Sequence, residues 1–219
     1  MKLLVIVFDK YVSDDLWEFI LGDCLSRYKC GENEISGIGA SYVGDARRPR
    51  TFDSENEELL VVCESESQAK KLAKCMRLNM TPKQFGKVIC LESYEGKHYF
   101  ENCIRSLQPL KISLGQILDA VYKPGVVNLD YSDLQQMVQG TENYITALEC
   151  VAEKMKNVMA DFLRGKSISR CLVNLTGNFT MTDASEIAEV IGNYEDVLLG
   201  AAPEEGEGEM QATVIYGLL

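Results

Sequence analysis

The chain has 219 residues, of which 46% are hydrophobic and 25% are charged, and its formal net charge is −11. This length and composition suffice for one or two domains with hydrophobic cores, and they exclude an intrinsically disordered chain. The acidic balance argues against nucleic acid and anionic membranes as partners, because phosphate groups are bound by clustered Lys and Arg. No apolar run approaches the roughly 20 residues that span a bilayer. With no signal peptide recognised, the sequence predicts a soluble, cytoplasmic protein.

The first half of the chain alternates short apolar runs with amphipathic segments. Helices are predicted from Ser13 to Gly31 and from Ser65 to Met80, and strands at residues 2–8, 34–43, 58–63 and 87–92. The resulting order, β-α-β-β-α-β, is that of the ferredoxin-like fold. We therefore predict a ferredoxin-like domain over residues 1–95, which names no function because this fold is shared by many unrelated proteins.

The predicted N-terminal domain loosely resembles PII-type and CutA-type signalling proteins. The likeness rests on the opening Met1-Lys2-Leu3, a long loop between the second and third strands, and the pair Gly86-Lys87 before the fourth strand. In PII proteins these features imply a trimer that binds a nucleotide between subunits. The residues available for such a ligand are Arg47, Arg48, Arg50 and Lys87. The plainer alternative is a solvated basic loop and a turn glycine beside an edge lysine.

Residues 96–122 are predicted to connect two domains. Apolar residues recur at helical spacing from residue 112 to residue 121, and the pattern breaks at Pro124-Gly125. A second domain is then predicted over residues 123–219.

The second domain opens on the segment Lys123-Pro124-Gly125-Val126-Val127-Asn128-Leu129-Asp130-Tyr131-Ser132-Asp133-Leu134. Taken locally, this is a turn, two β-branched residues and a helix start. Asn128 can cap the unpaired amides of the helix, while Asp130 and Asp133 sit near its positive terminus.

In its wider context this segment resembles the synergy loop of FtsZ, the bacterial relative of tubulin. Four later segments continue the resemblance in the right order, at residues 170–177 (RCLVNLTG), 180–190, 196–201 and 209–217. Residues 123–219 thus resemble the C-terminal domain of FtsZ, which implies a two-layer α/β sandwich and an α+β protein overall. No glycine-rich phosphate loop of the GGGTGTG kind occurs in the chain, so the family's GTP-binding domain is predicted to be lacking.

The resemblance implies a site shared between two molecules. In FtsZ filaments, one subunit binds GTP and the next inserts its synergy loop to complete the site. Asn128, Asp130 and Asp133 would then act in trans, with the carboxylates orienting or deprotonating the attacking water. The protein would hold no cofactor on its own, and GTP and Mg would come only from a partner subunit. FtsZ or an FtsZ-like protein is the implied partner, and a homo-oligomer is an alternative.

Three functional hypotheses remain from the sequence. The first is an interaction protein that regulates FtsZ-type filaments or cell division and is not an enzyme on its own. The second is a PII-like nucleotide or small-molecule sensor whose FtsZ-like half is a relic that serves only for oligomerisation. A free-standing enzyme is the weakest, because the chain has one histidine and no Ser-His or Cys-His arrangement that it could serve.

The eight cysteines and His98 are predicted to have no chemical role. The cysteines are scattered without a CxxC pair, mostly in apolar runs, as is typical of small buried thiols in a reducing cytosol. His98 has no partner at the spacing of a metal site, so an ordinary surface or loop histidine is predicted. No metal site is therefore expected.

Overall fold

A computed structural model describes residues 2–7, 57–140, 142–206 and 208–219. The chain divides into two compact units, Met1–Gly115 (unit 1) and Gln116–Leu219 (unit 2). Several predicted features lie outside the described residues, namely the helix starting at Ser13, the strand at 34–43, and Arg47, Arg48 and Arg50. None of the described helices is both long enough and apolar enough to cross a membrane.

Unit 1 contains a parallel sheet. Its strands are β1 (Lys2–Val7), β2 (Glu57–Cys63), β3 (Ile89–Glu92) and β4 (Asn102–Ser106), which lie side by side in that order. All three neighbouring pairs run parallel. The described helices are α1 (Glu66–Asn79), α2 (Pro82–Phe85) and α3 (Leu110–Tyr122), and the boundary between the units falls within α3.

The prediction of a ferredoxin-like unit is wrong for the described strands. A ferredoxin-like sheet contains antiparallel neighbours, whereas Leu60 pairs with Ile89 and Cys90 pairs with Cys103 in parallel register. The residues of β3 and the second half of β2 are buried on both faces of the sheet, which is typical of parallel strands. Strand β4 also lies inside the segment predicted to connect two domains. The fold-level basis for a PII-like sensor is thereby removed.

Helix α1 covers one face of this sheet. Its N-cap is Ser65, whose side chain accepts a hydrogen bond from the backbone of Gln68 at 3.3 Å, while the Gln68 side chain accepts one from the Ser65 amide at 3.2 Å. This reciprocal pair satisfies two amides that the first helical turn leaves unpaired. Leu72 and Met76 are fully buried against residues of β2 and β3. The helix predicted from the Ser-Glu-Ser start is confirmed.

Unit 2 is a mixed sheet covered by helices. The strands are β5 (Glu142–Cys150), β6 (Ile168–Gly177), β7 (Asp196–Pro203) and β8 (Met210–Leu218), in the order β5-β8-β6-β7. Strand β8 is antiparallel to β5 and β6, and β6 is parallel to β7. The helices are α4 (Tyr131–Met137), α5 (Ala152–Leu163) and α6 (Met181–Ile191).

The core of unit 2 forms between the sheet and the apolar sides of α5 and α6. Met155 and Met159 of α5 and Ile187 of α6 are buried in one cluster with Val173 and Val214 of the sheet. The segments singled out from the sequence at residues 170–177, 180–190, 196–201 and 209–217 coincide with β6, α6, β7 and β8. The α+β character predicted from the sequence is therefore observed.

Candidate functional site

The acidic segment that the sequence singled out is an ordered loop held on the edge of strand β7. We call residues 123–133 the acidic loop. The amides of Val126 and Val127 both donate to the carbonyl oxygen of Ala201, at 2.8 and 3.1 Å, and the Ala201 amide donates to the Val127 carbonyl at 2.9 Å. Asn128 Oδ1 accepts a hydrogen bond from the Gly125 amide at 2.8 Å. Asn128 thus closes the turn ahead of the helix rather than capping the helix itself.

Asp130 and Asp133 form a reciprocal capping box at the start of α4. Asp130 Oδ1 accepts hydrogen bonds from the Asp133 amide at 2.8 Å and from the Ser132 hydroxyl at 2.6 Å. Asp133 Oδ2 accepts one from the Asp130 amide at 2.9 Å. Asp130 is exposed and Asp133 is half-buried. The two carboxylates therefore have a local structural role, and the exposed one remains open to another molecule.

These contacts set the charge state of Asp130. The Ser132 hydroxyl and the Asp133 amide stabilise the carboxylate, so the pKa of Asp130 lies below its usual value. A carboxylate with a lowered pKa is a poor proton acceptor near neutral pH. Asp130 is thus better suited to orient a water molecule or approach a cation than to remove a proton.

Helix α4 is held in unit 2 by buried side chains and by hydrogen bonds from Arg170. Tyr131, Leu134 and Met137 are buried in unit 2. Arg170 of β6 donates from Nη1 to the carbonyl of Gln136 at 3.1 Å and to that of Gln139 at 2.7 Å, which binds the C-terminal end of α4 to the sheet. The acidic loop is therefore fixed at both ends.

The outer surface of the loop combines apolar and polar side chains. Val126 is 64% exposed and Val127 is 41% exposed. Asn128 and Asp130 are exposed beside them. An exposed valine pair next to a carboxylate is a surface that a partner protein can cover, because burial of apolar area favours association.

The predicted ligand residues of the first half do not form a described site. Lys87 is exposed in the turn that follows α2, where its amide donates to the Gln84 carbonyl at 3.1 Å. Arg47, Arg48 and Arg50 lie outside the described residues. A ligand held by Lys87 and these arginines stays a prediction.

Two glycines allow the acidic loop to lie close to β7. A Cβ at Gly125 would be 2.5 Å from the carbonyl oxygen of Ala201, and a Cβ at Gly200 would be 2.8 Å from Leu129 Cδ1. We expect Gly125→Ala to lower the free energy of unfolding by about 1–3 kcal/mol, because the backbone must shift to relieve the overlap. Urea denaturation followed by circular dichroism would measure it. Gly208→Ala is the control, since its Cβ meets nothing within 4 Å, and equal losses in both variants would contradict the prediction.

A second group of polar side chains lies in unit 1 and was not predicted from the sequence. Sulfur atoms of Cys90 and Cys103 and a carboxylate oxygen of Glu92 all lie within 4.8 Å of one another, and all three residues are buried. Glu92 Oε1 is 2.6 Å from His98 Nδ1 and 3.5 Å from Arg105 Nη2. His98 is thus a partner of a buried carboxylate rather than an ordinary loop residue.

The surroundings shift the acidity of these groups. A hydrogen bond with Cys103 and the charge of Glu92 raise the pKa of His98 to about 9, against the opposing effect of burial. Hydrogen bonds with Cys90 and His98 lower the pKa of the Cys103 thiol to about 7. Burial raises the pKa of Cys90. The group therefore stabilises a thiolate on Cys103 but not on Cys90.

One sequence signal could have indicated this group. Cys90-Leu91-Glu92 and Cys103-Ile104-Arg105 each place two polar side chains two positions apart, and so on one face of a strand. The signal becomes specific only once β3 and β4 are known to be parallel neighbours with Cys90 opposite Cys103.

No family model matches the sequence, and no curated protein matches it. Solved structures do resemble its fold. CetZ1 from Haloferax volcanii, as a GDP-bound monomer, superposes with a TM-score of 0.55 at 14% identity, covering 100% of this chain and 94% of that chain. CetZ2 from the same organism, in a GTPγS-bound protofilament, gives 0.50 at 15% identity, covering 74% and 65%.

A GDP-form protofilament of TubZ from Bacillus thuringiensis serovar israelensis gives a TM-score of 0.47 at 10% identity, with 72% of this chain and 60% of that chain covered. This chain thus spans about 60% of the length of that protein. The CetZ structures show that the chain has a tubulin/FtsZ-like fold, and the identities are too low to show more than the fold.

Proposed function

We propose that this chain, which has a tubulin/FtsZ-like fold, binds one end of a tubulin/FtsZ-like filament and presents its acidic loop to the nucleotide of the terminal subunit. The single observation that carries this proposal is the loop itself. Asn128 and Asp130 are exposed on a segment that is fixed to β7 and α4, beside the exposed pair Val126 and Val127. Rigid, exposed and partly apolar segments bind partners at a low cost in entropy.

The chemistry assigned to the loop follows from its contacts. A water molecule attacking a γ-phosphate must be held in line, and an ionised carboxylate can accept a hydrogen bond from it. The lowered pKa of Asp130 keeps that group ionised at neutral pH. We assign Asp130 the water-orienting role, and we assign Asp133 the role of holding the Asp130 backbone through its hydrogen bond to that amide. Magnesium and the phosphates belong to the partner.

On this proposal, the chain contacts a filament only through the surface that carries the acidic loop. It carries the acidic loop, but its sequence has no glycine-rich loop of the kind that cradles phosphates. Such a chain can dock on the nucleotide-bearing end of a filament without offering a second nucleotide to the next subunit. It would stimulate GTP hydrolysis at that end and stop further growth, which is the behaviour of a regulator of filament length or cell division.

The test is co-sedimentation and GTPase measurement with a purified, polymerising FtsZ-type or CetZ-type protein. We expect the wild-type chain to sediment with polymer, to reduce polymer mass and to raise the rate of GTP hydrolysis. Asp130→Asn should lower the stimulation of GTP hydrolysis about 100-fold, because the residue no longer carries a charge beside the water. Asparagine is as good an N-cap as aspartate, so the fold of α4 should survive.

A matched control is available in the same unit. Asp183 belongs to a capping box at the start of α6, where it accepts a hydrogen bond from the Thr180 amide at 2.8 Å. Asp183→Asn should leave both binding and stimulation unchanged. The proposal fails if the wild-type chain alters neither polymer mass nor GTPase rate, or if Asp130→Asn stimulates as well as wild type.

Self-association through the same loop is the related alternative. CetZ2 was solved as a protofilament, which is a fact about that protein, and a chain of the same fold could form short oligomers of its own. Sedimentation velocity of this chain alone would detect them. A wild-type oligomer that becomes monomeric on Val126→Asp would favour a second copy of this chain over a filament as the partner.

A further inference from the structure

The group formed by Cys90, Glu92 and Cys103 in unit 1 has the composition of a metal site. Cys90 and Cys103 face each other across neighbouring strands β3 and β4, and Glu92 lies two residues beyond Cys90 on the same face. The two strands are parallel, and Glu92 is the last residue of β3. We propose that this group binds a thiophilic divalent metal ion, with Zn²⁺ as the best match.

The spacing of the three ligand atoms suits such an ion. In a tetrahedral zinc site, the Zn–S distance of about 2.3 Å places two thiolate sulfurs roughly 3.8 Å apart. The two sulfurs and the carboxylate oxygen lie within 4.8 Å of one another, which is about the separation that ligands of a single ion require. Two thiolates with a carboxylate are a donor set typical of zinc and not of magnesium or calcium, which prefer oxygen alone.

A further thiol lies beside the group, on strand β2. Cys63 is the last residue of β2, lies opposite Glu92 in register, and is fully buried. Its thiol interacts with that of Cys90. Cys63 lies outside the three-residue group but next to it, so its thiol is the nearest further sulfur ligand for an ion bound there.

Glu92 is a buried carboxylate that needs positive charge beside it. It is 0% exposed, and its Oε1 lies 2.6 Å from His98 Nδ1 and 3.5 Å from Arg105 Nη2. A buried carboxylate is unfavourable unless cationic groups compensate for it. His98 and Arg105 balance the carboxylate, whereas the two thiolates of a metal site would be balanced by the divalent ion itself.

His98 and Arg105, beside the group, are placed to orient the Glu92 carboxylate by hydrogen bonds. His98 Nδ1 is 2.6 Å from Glu92 Oε1, and Arg105 Nη2 is 3.4 Å from His98 Nε2. Metal-ligating carboxylates are commonly oriented by a second layer of hydrogen-bond donors in this way. His98 is assigned to that layer because its Nε2 faces the Arg105 guanidinium and its Nδ1 faces the carboxylate.

The test uses the full chain, purified under reducing conditions and depleted of metal with a chelator. Titration with Zn²⁺ against a chromophoric chelator should show one tightly bound ion per chain. Titration with Co²⁺ should give the visible bands of tetrahedral coordination together with thiolate-to-cobalt charge-transfer absorption. Cys103→Ser should weaken Zn²⁺ binding at least about 100-fold and remove most of the charge-transfer intensity.

The matched control is Cys75→Ser, on helix α1, because Cys75 is a cysteine of the same unit that lies outside the group and in no disulfide. It should bind Zn²⁺ like wild type. If Cys103→Ser fails to fold, Glu92→Gln takes its place in the test. Glu92→Gln should keep the charge-transfer band and lower the affinity for Zn²⁺ about tenfold.

Three results would overturn the proposal. They are a folded wild-type chain that takes up no zinc, a Cys103→Ser variant that binds as tightly as wild type, and a Co²⁺ complex without thiolate absorption. A stable disulfide between Cys90 and Cys103 in place of metal binding would do the same. None of these results bears on the filament-binding proposal, which rests on residues of unit 2.

Discussion

Replacement of Arg105 by Met is expected to lower the free energy of unfolding of the metal-free chain by about 3–5 kcal/mol. Arg105 contacts Glu92 Oε1 at 3.5 Å and also donates from Nη2 to the carbonyl of Gly96 at 3.4 Å. Glu92 is wholly buried, so loss of the guanidinium removes one of the two cationic partners of its Oε1 and leaves His98, at 2.6 Å, as the other. The removal of one partner of a buried pair is costly because the remaining charge is not rehydrated.

Urea denaturation of the full chain, with reductant and chelator present, would measure this loss. The double variant Glu92→Gln, Arg105→Met should recover about half of it, because the buried carboxylate that lost its arginine partner is then absent. Arg164→Met is the control, since Arg164 pairs with Asp161 at the surface with both side chains mostly exposed, and it should change stability little. A double variant no more stable than Arg105→Met alone would show that lost packing, and not charge, explains the effect.

Replacement of Tyr216 by Ala should lower the free energy of unfolding by about 3–5 kcal/mol. Tyr216 is buried in the centre of the unit 2 sheet, on β8. Its ring is stacked with that of Tyr144 at 5.6 Å and meets the ring of Phe162 edge-on at 5.5 Å. The variant therefore loses apolar burial, two aromatic contacts and the volume that joins α5 to the sheet.

Circular dichroism during thermal and urea unfolding would give the size of this effect. Tyr216→Phe keeps the ring contacts and should cost less than about 1 kcal/mol. Val151→Ala, at a position that is 40% exposed before α5, should be nearly neutral. Equal losses in Tyr216→Ala and Val151→Ala would mean that the aromatic cluster does not stabilise unit 2.

The order of elements in unit 2 was accessible from the sequence because its patterns are local. The segments singled out at residues 170–177, 196–201 and 209–217 coincide with strands β6, β7 and β8. Asp130 and Asp133 were placed correctly near a helix start, because acidic side chains favour the positive end of a helix. The cap predicted at Asn128 is wrong, since the N-cap is Asp130. The role of Asn128 differed, because the turn that it closes depends on the contact with β7.

In unit 1, local sequence patterns predict strands but not how those strands pair. A run such as Leu59-Leu60-Val61-Val62 predicts a buried strand, but it does not reveal which strand lies beside it or in which direction. The predicted order of strands and helices suited a ferredoxin-like sheet, whereas the observed sheet is parallel. Strand pairing depends on contacts between residues far apart in the sequence, which periodicity does not record.

The net charge, the apolar content and the acidic segment followed from the amino-acid sequence. So did the positions of several strands and helices, because each reflects neighbours a few positions apart. The grouping of Cys90, Glu92 and Cys103 came only from tertiary structure. Parallel pairing brings residues 13 positions apart, such as Cys90 and Cys103, to the same level of the sheet, and no local rule predicts that they meet. The proposed metal site is therefore a property of strand order, whereas the acidic loop is a property of its own sequence.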